Sequence, residues 1–492
     1  MKTKRLLVLG TTSDAGKSSV VAALCRIFSK KWSVSPFKAQ NMSLNSWISP
    51  EGKEISFAQV IQAWAAGVDP IPEMNPVLLK PTGDRKSQVI ILGEHFANKE
   101  AGNYYNSINE VNEILKRSLE KLEEMSDLII MEGAGGAAEI NLYDRDIVNI
   151  GTAKLTNAPI ILVGDIERGG VFASLYGTVM LLPDDVRKNV KGFVINKFRG
   201  DPKILENGLE MIEEITGIPV LGVIPYFKIK LPDEDSMSFK NKTKKYEADK
   251  INITVIKLPK ISHFTDFEVL EQTANVVYAS IDEKIEKSDL IIIPATSAPV
   301  DALKAIYKTG MAKQIKDMKG ICPIIGIGEG FHLMGEKITN ETGTKKEEYD
   351  GLGLLNLNTV YSKDEYVQKP TRVKLNVKGF GPILKNIDGE QIEGFKVGTG
   401  SVKISNDLVK IFGEDSCCDP SGLIIGTSIH ELFNNKNVRT SLLKYLCDNK
   451  NIMYDEKEII TKDEAFDELA EIFEKNANME LIEKIIMGSD NN

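Results

Sequence analysis

Apolar residues along the first half of this chain come in short blocks separated by polar, glycine-containing stretches. Arg5-Leu6-Leu7-Val8-Leu9 is such a block, of the length and composition of a strand buried on both faces. Residues 19–28 follow with helical spacing, and further apolar blocks stand at 128–131, 159–163, 192–195 and 219–223. Strand blocks alternating with helical stretches predict an α/β fold, a doubly wound parallel sheet with helices on both faces. The pattern resumes near 253–256, 290–293 and 324–327, which predicts a second α/β domain.

Between these halves, the polar stretch 233–250 contains Asn241-Lys242-Thr243-Lys244-Lys245 and few apolar residues, so it reads as a linker. The expected organisation is a nucleotide-binding domain at 1–232, the linker at 233–250, a second domain at 251–447 and a helical tail at 448–492. In the tail, Phe466, Leu469 and Phe473 share one helical face, with acidic residues between them. That face docks either on the body of the protein or on a partner. Its acidic polar side argues against a membrane surface.

Composition narrows the class. The 492 residues are 42% hydrophobic, ample for real cores, and the net charge of −9 lacks the basic excess that nucleic-acid binding rests on. No apolar run reaches the length of a membrane span, and Met1-Lys2-Thr3-Lys4-Arg5 leads straight into a strand without a cleavage signal. Five scattered cysteines with no zinc-site spacing suit a reducing, cytoplasmic setting. Oligomeric state is left open.

The chemistry starts at Gly10-Thr11-Thr12-Ser13-Asp14-Ala15-Gly16-Lys17-Ser18, followed by Ser19. Strand, glycine-containing loop and helix form the context of a phosphate-binding loop, here one residue longer between its glycines than the common form. Gly16 lets the backbone approach an anion, and successive N–H groups at the helix start point at phosphate oxygens. Lys17 is placed to reach the β- and γ-phosphates of ATP, and the Ser18 hydroxyl to hold Mg²⁺.

Ligands of such sheets sit at the carboxyl ends of the strands, so the polar clusters after the apolar blocks are expected to converge on this loop. In the first, Lys38 is a second cation for the transferring phosphoryl group or an acidic substrate, and Gln40, Asn41 and Asn45 are candidate substrate contacts. In the second, Glu132 ends a strand where a carboxylate can coordinate Mg²⁺, and Glu139 and Asn141 either face substrate or cap a helix. The third carries Asp165, a candidate holder of a metal-bound water, and Arg168, a candidate substrate contact. The fourth carries Asn196, where related proteins place an amide on adenine.

With these residues goes a resemblance. GTTSDAGKS, PFKAQNMSLNS, MNPVLLKP, QVIILG, EGAGGAAEINL, DIERGGVFAS, GFVINKFRGD and LPKISHFTDF resemble the cobyric acid synthase family over nearly the whole chain to about Leu446. The resemblance implies ATP-dependent amidation of the b, d, e and g carboxylates of adenosylcobyrinic a,c-diamide through an acyl phosphate, with a corrinoid substrate and ammonia or glutamine as nitrogen donor. It also implies that the second domain is a class I glutaminase-like domain, whose nucleophile is a cysteine in a G-I-C-G-G-Y-Q-M-L-G pattern.

The chain departs from that pattern. Gly326-Ile327-Gly328-Glu329-Gly330-Phe331-His332-Leu333-Met334-Gly335 puts Gly328 at the cysteine position and Glu329 at the next glycine. Glycine offers no nucleophile, so a glutamyl thioester cannot form there. His430 matches the family's catalytic histidine and reads as a remnant base or a packing residue. The expected protein is an amide synthetase fused to a non-functional glutaminase domain, fed by free ammonia or by a separate glutaminase. Two alternatives stay open: an amidase of a different tetrapyrrole, and a P-loop ATPase switch, which usually has a lysine where this loop has Thr11.

Overall fold

The computed structural model describes residues 3–83, 86–100, 108–229, 245–342, 345–362, 371–397, 400–457 and 459–488. The expected strand blocks of the first half form one fully parallel sheet. Its strands are β1 (Lys4–Gly10), β2 (Val34–Phe37), β3 (Leu128–Glu132), β4 (Ile160–Asp165), β5 (Val190–Phe198) and β6 (Val220–Pro225), in the order β6-β5-β4-β1-β3-β2. β1 and β3 are near-continuous apolar runs because both faces are covered, and Leu6, Leu7, Val8 and Leu9 are fully buried. α1 (Lys17–Ser29) and α2 (Phe57–Ala65) pack together beside this sheet.

The second sheet comprises β7 (Asn252–Lys257), β8 (Asn275–Ser280), β9 (Leu290–Ile293), β10 (Ile324–Ile327), β11 (Val409–Lys410), β12 (Ser416–Cys418) and β13 (Ile424–Thr427). Their order is β8-β7-β9-β10-β13-β12-β11, parallel from β8 to β13 and antiparallel at the far edge. Most of the predicted linker, 233–244, lies outside the described residues. From Tyr246 onward the chain is bonded to the first strand of the second sheet, since the Tyr246 and Thr254 hydroxyls bond at 3.0 Å and Glu247 N donates to Asn252 Oδ1. The helix Lys436–Lys450 runs through the boundary expected at 447.

The tail returns to the first domain. α3 (Lys462–Asn476) opens with a capping box between Thr461 and Glu464, and Phe466, Leu469 and Phe473 are buried in the first domain's core. Arg26 on α1 holds Asp467 at 2.8 Å and Asp463 at 3.1 Å, and Asn478 N donates to Leu221 O beside β6. The apolar face therefore docks on the body. Among the described residues no helix is long and apolar enough to cross a membrane.

Candidate active site

Parallel register carries Gly10, Glu132, Asp165 and Asn196 to the same end of neighbouring strands. Gly16, with φ 94°, caps α1 where an L side chain is strained, and a Cβ there would lie 2.0 Å from Asn196 Nδ2. Thr11 N donates to Val163 O and Ala137 N to Gly10 O, which ties the phosphate loop to both neighbouring strands. The buried Lys17 donates to Thr12 O at 3.1 Å and Gly135 O at 2.8 Å, and so lies across the loop it is expected to serve.

Glu132 is the hub. Its Oε1 accepts from Ser18 Oγ at 3.0 Å and from Lys38 Nζ at 2.7 Å, and its Oε2 accepts from Gln62 Nε2. Burial is the largest influence on this carboxyl and pushes its pKa up. The Lys38 charge and hydrogen bond, the Lys17 charge and the Gln62 amide outweigh it and hold Glu132 below the usual carboxylate range. Lys17, Ser18, Lys38 and Glu132, drawn from three separate stretches of the chain, thus meet at one site.

A hydroxyl and an ionised carboxylate are hard oxygen donors of the kind Mg²⁺ takes alongside nucleotide phosphates and water. The Lys38 ammonium on the oxygen that also receives Ser18 shows that this position suits a cation. Asp165 stands apart from that pair. Lys197 Nζ lies 2.9 Å from its Oδ2, Glu167 N donates to its Oδ1, and Arg168 approaches at 3.7 Å. Its carboxylate is engaged in this ion pair as Glu132 is with Lys38. Arg168 also reaches Asp14 at 3.4 Å and is mostly exposed, open to a ligand.

Three other expected residues are engaged within the protein itself. Asn196 is buried, with Nδ2 on Ala15 O at 3.0 Å and Oδ1 accepting Lys197 N, and so braces the loop. Asn45 is fully buried, and its backbone N–H and carbonyl both bond the Ser43 hydroxyl, which shapes the segment. The Asn41 side chain donates to Ser56 Oγ at 2.5 Å and accepts from Met42 N, which commits it to local structure. Gln40 is half-buried, while Glu139 and Asn141 are exposed around the short turn Ile140–Leu142.

Sequence reasoning missed several supports. Gln62 was indistinguishable from any polar residue on a helix. The buried Lys80–Glu54 pair, 2.6 Å apart, joins the strand Val77–Gly83 to the strand Glu54–Ser56 of another sheet. Asn149 brackets Ala134 with both ends of its amide, fixing the glycine-rich segment after Glu132. Its signal in the sequence was no more than a lone asparagine before a helix.

In the second domain, β10 runs into Gly328 (φ 57°, ψ −128°) and then the helix Glu329–Leu333. This is a tight strand-to-helix turn. A Cβ built on Gly328 would lie 3.0 Å from His430 Nε2. The other ring nitrogen of His430, Nδ1, is 2.8 Å from Asp266 Oδ2, and both side chains are buried. The histidine is therefore more than a lone remnant: an oriented histidine–carboxylate pair faces an elbow that has no sulfur. Glu329 Oε2 accepts from Thr296 N at 3.3 Å. Cys322 lies before β10, and burial, the main cause, pushes its thiol up to about 12, so it is no substitute. His332 bonds the Tyr361 hydroxyl at 2.9 Å and is structural.

The profile described as the CobQ/CobB/MinD/ParA nucleotide binding domain matches residues 6–238, and the CobB/CobQ-like glutamine amidotransferase domain matches 252–438. The chain is 54% identical over 488 residues to a Methanosarcina acetivorans protein named "Probable cobyric acid synthase", covering 99% of each. The chain belongs to the cobyric acid synthase family. A Methanococcoides burtonii relative of the same name is 55% identical over 97% of this chain and 96% of its own. The "Cobyric acid synthase" of Clostridium botulinum is 40% identical over 98% and 99%. As a cobyric acid synthase family member, the chain joins a nucleotide-binding domain to a glutaminase-like one whose elbow lacks its cysteine.

Proposed function

We propose that this chain amidates the b, d, e and g carboxylates of adenosylcobyrinic a,c-diamide, using ATP and ammonia that its own second domain does not generate. The substrate carboxylate attacks the γ-phosphorus of ATP; ADP leaves and an acyl phosphate forms. Ammonia attacks the carbonyl carbon, the C–N bond forms, the C–O bond to phosphate breaks, and a proton is lost from nitrogen. Loop N–H groups and Lys17 bind the nucleotide phosphates, and Lys38 faces charge that builds in transfer. Ser18 and Glu132 would hold Mg²⁺, which supplies charge neutralisation at the phosphates. A cytoplasmic location belongs to this reading, supported by five cysteines that are all free.

One observation carries the nitrogen-source half: Gly328 occupies the elbow facing His430. A thiol nucleophile is absent from the one place where the dyad could activate it. The test is product formation from ATP, Mg²⁺ and the a,c-diamide with either glutamine or ammonium chloride. Ammonium supports four amidations and glutamine none unless a separate glutaminase is added. Glutamine hydrolysis by the pure chain overturns the reading.

A further inference from the structure

Side-chain amides in this protein leave an unusual set of polar atoms without hydrogen bonds. Gln59 is fully buried and neither its Oε1 nor its Nε2 has a partner. Gln62 and Asn75 are buried as well, and their oxygens, Oε1 and Oδ1, are unpartnered although their nitrogens are bonded. The half-buried Gln40 adds a fourth such oxygen. Buried amides without partners are costly and rare in folded proteins, so a set of them calls for a ligand.

Asn75, Gln40 and Gln62 are tied to the segment around Lys38, and Gln59 neighbours Gln62 on its helix. Asn75 Nδ2 donates to Lys38 O at 3.0 Å and to Val77 O at 3.1 Å. Gln40 stands in register with Val77, two residues beyond Lys38. Gln62 holds the Glu132 carboxylate that holds Lys38 Nζ, and Gln59 lies one turn earlier on the same face of α2.

We infer that Gln40, Gln59, Gln62 and Asn75 form a binding site for neutral ammonia beside the Lys38–Glu132 pair. The chemistry selects the ligand. Four carbonyl oxygens accept N–H bonds and repel a carboxylate or phosphate, which carries only acceptors. With Mg²⁺ expected at Ser18 and Glu132 and the ammonium groups of Lys38 and Lys17 already near that carboxylate, a further cation at the amides is disfavoured. Ammonia has three N–H donors for the carbonyls and a lone pair for the Gln59 Nε2 or for attack. The site would hold the nucleophile next to the residues expected at the acyl phosphate.

The inference rests on ammonia being the nitrogen donor, as proposed above. Its test is steady-state amidation by the full chain with ammonium chloride as the varied substrate, comparing wild type with Gln59→Leu. Loss of one or two hydrogen bonds raises the ammonia KM by about five- to ten-fold while the ATP KM stays put. Because leucine relieves an unpartnered amide, the melting temperature of the variant does not fall. An unchanged ammonia KM in the folded variant overturns the inference and means the amides hold water. Should Gln59→Leu fail to fold, Gln40→Ala carries the same expectation at a half-buried position. A wild type that turns over glutamine but not ammonium refutes the nitrogen-source reading, and the ammonia site with it. An active wild type with a KM-neutral Gln59→Leu refutes the site alone.

Discussion

Lys38 Nζ lies 2.7 Å from Glu132 Oε1, and the two side chains are 6% and 1% exposed. An ion pair this deep is costly to desolvate, and removing one partner strands the other charge. Lys38→Met is expected to destabilise the nucleotide-free protein by about 3 kcal/mol and to lower the amidation rate at least about a hundred-fold. Thermal melts and product assays check both. Stability that recovers on adding Mg²⁺ and ATP, with activity still lost, separates the packing role from the chemical one.

Gly16 offers a test of the loop alone. An alanine there adopts an unfavourable φ and pushes a methyl into Asn196 Nδ2. Gly16→Ala is expected to abolish ATP binding by calorimetry while the second domain's fold, followed by its own proteolytic stability, is unchanged.

Restoring sulfur chemistry is a stricter test of the second domain. An electrophilic glutamine analogue that alkylates glutaminase cysteines is expected to leave the wild-type chain unlabelled by mass spectrometry. The double substitution Gly328→Cys with Glu329→Gly returns a nucleophile to His430 and frees the Thr296 N–H that Glu329 now occupies. Labelling of that variant at residue 328 is the expected outcome. It requires a small shift of His430, because a Cβ at 328 sits 3.0 Å from the ring.

Two buried histidines predict acid sensitivity. Burial, then the neighbouring His430 and Lys80 charges, holds His263 well below its ordinary value of 6.5, and burial likewise lowers His332. Both stay neutral in the folded chain while the unfolded chain takes up protons below about pH 6.5. Their contribution is therefore complete above that pH and lost as pH falls from it toward the lowered folded values. The expected slope is up to about 1.4 kcal/mol per pH unit for each histidine, read from denaturant unfolding across that window.

The tail gives a stability prediction. Phe466 and Phe473 are each 1% exposed within the first domain's core. Phe473→Ala is expected to cost about 3–5 kcal/mol, measured by denaturant unfolding of the full chain.

What the sequence determined by itself was whatever depends on contiguous residues. A strand, a glycine-containing loop and a helix in series specify a phosphate loop before any tertiary contact forms, because the helix N-terminus and the glycine's freedom are local properties. The missing nucleophile at Gly328 was equally legible, since an elbow occupies one short segment. Only the tertiary structure decided who meets whom. Gln62 reaches Glu132 across 70 residues and Asp266 reaches His430 across 164. Nothing in a lone glutamine or aspartate announces such a partner. The same holds for Asn196, a polar residue expected at a ligand, whose amide is buried on the Ala15 carbonyl of the phosphate loop. Whether a polar side chain faces solvent, ligand or its own scaffold is settled by packing, which no local spacing encodes.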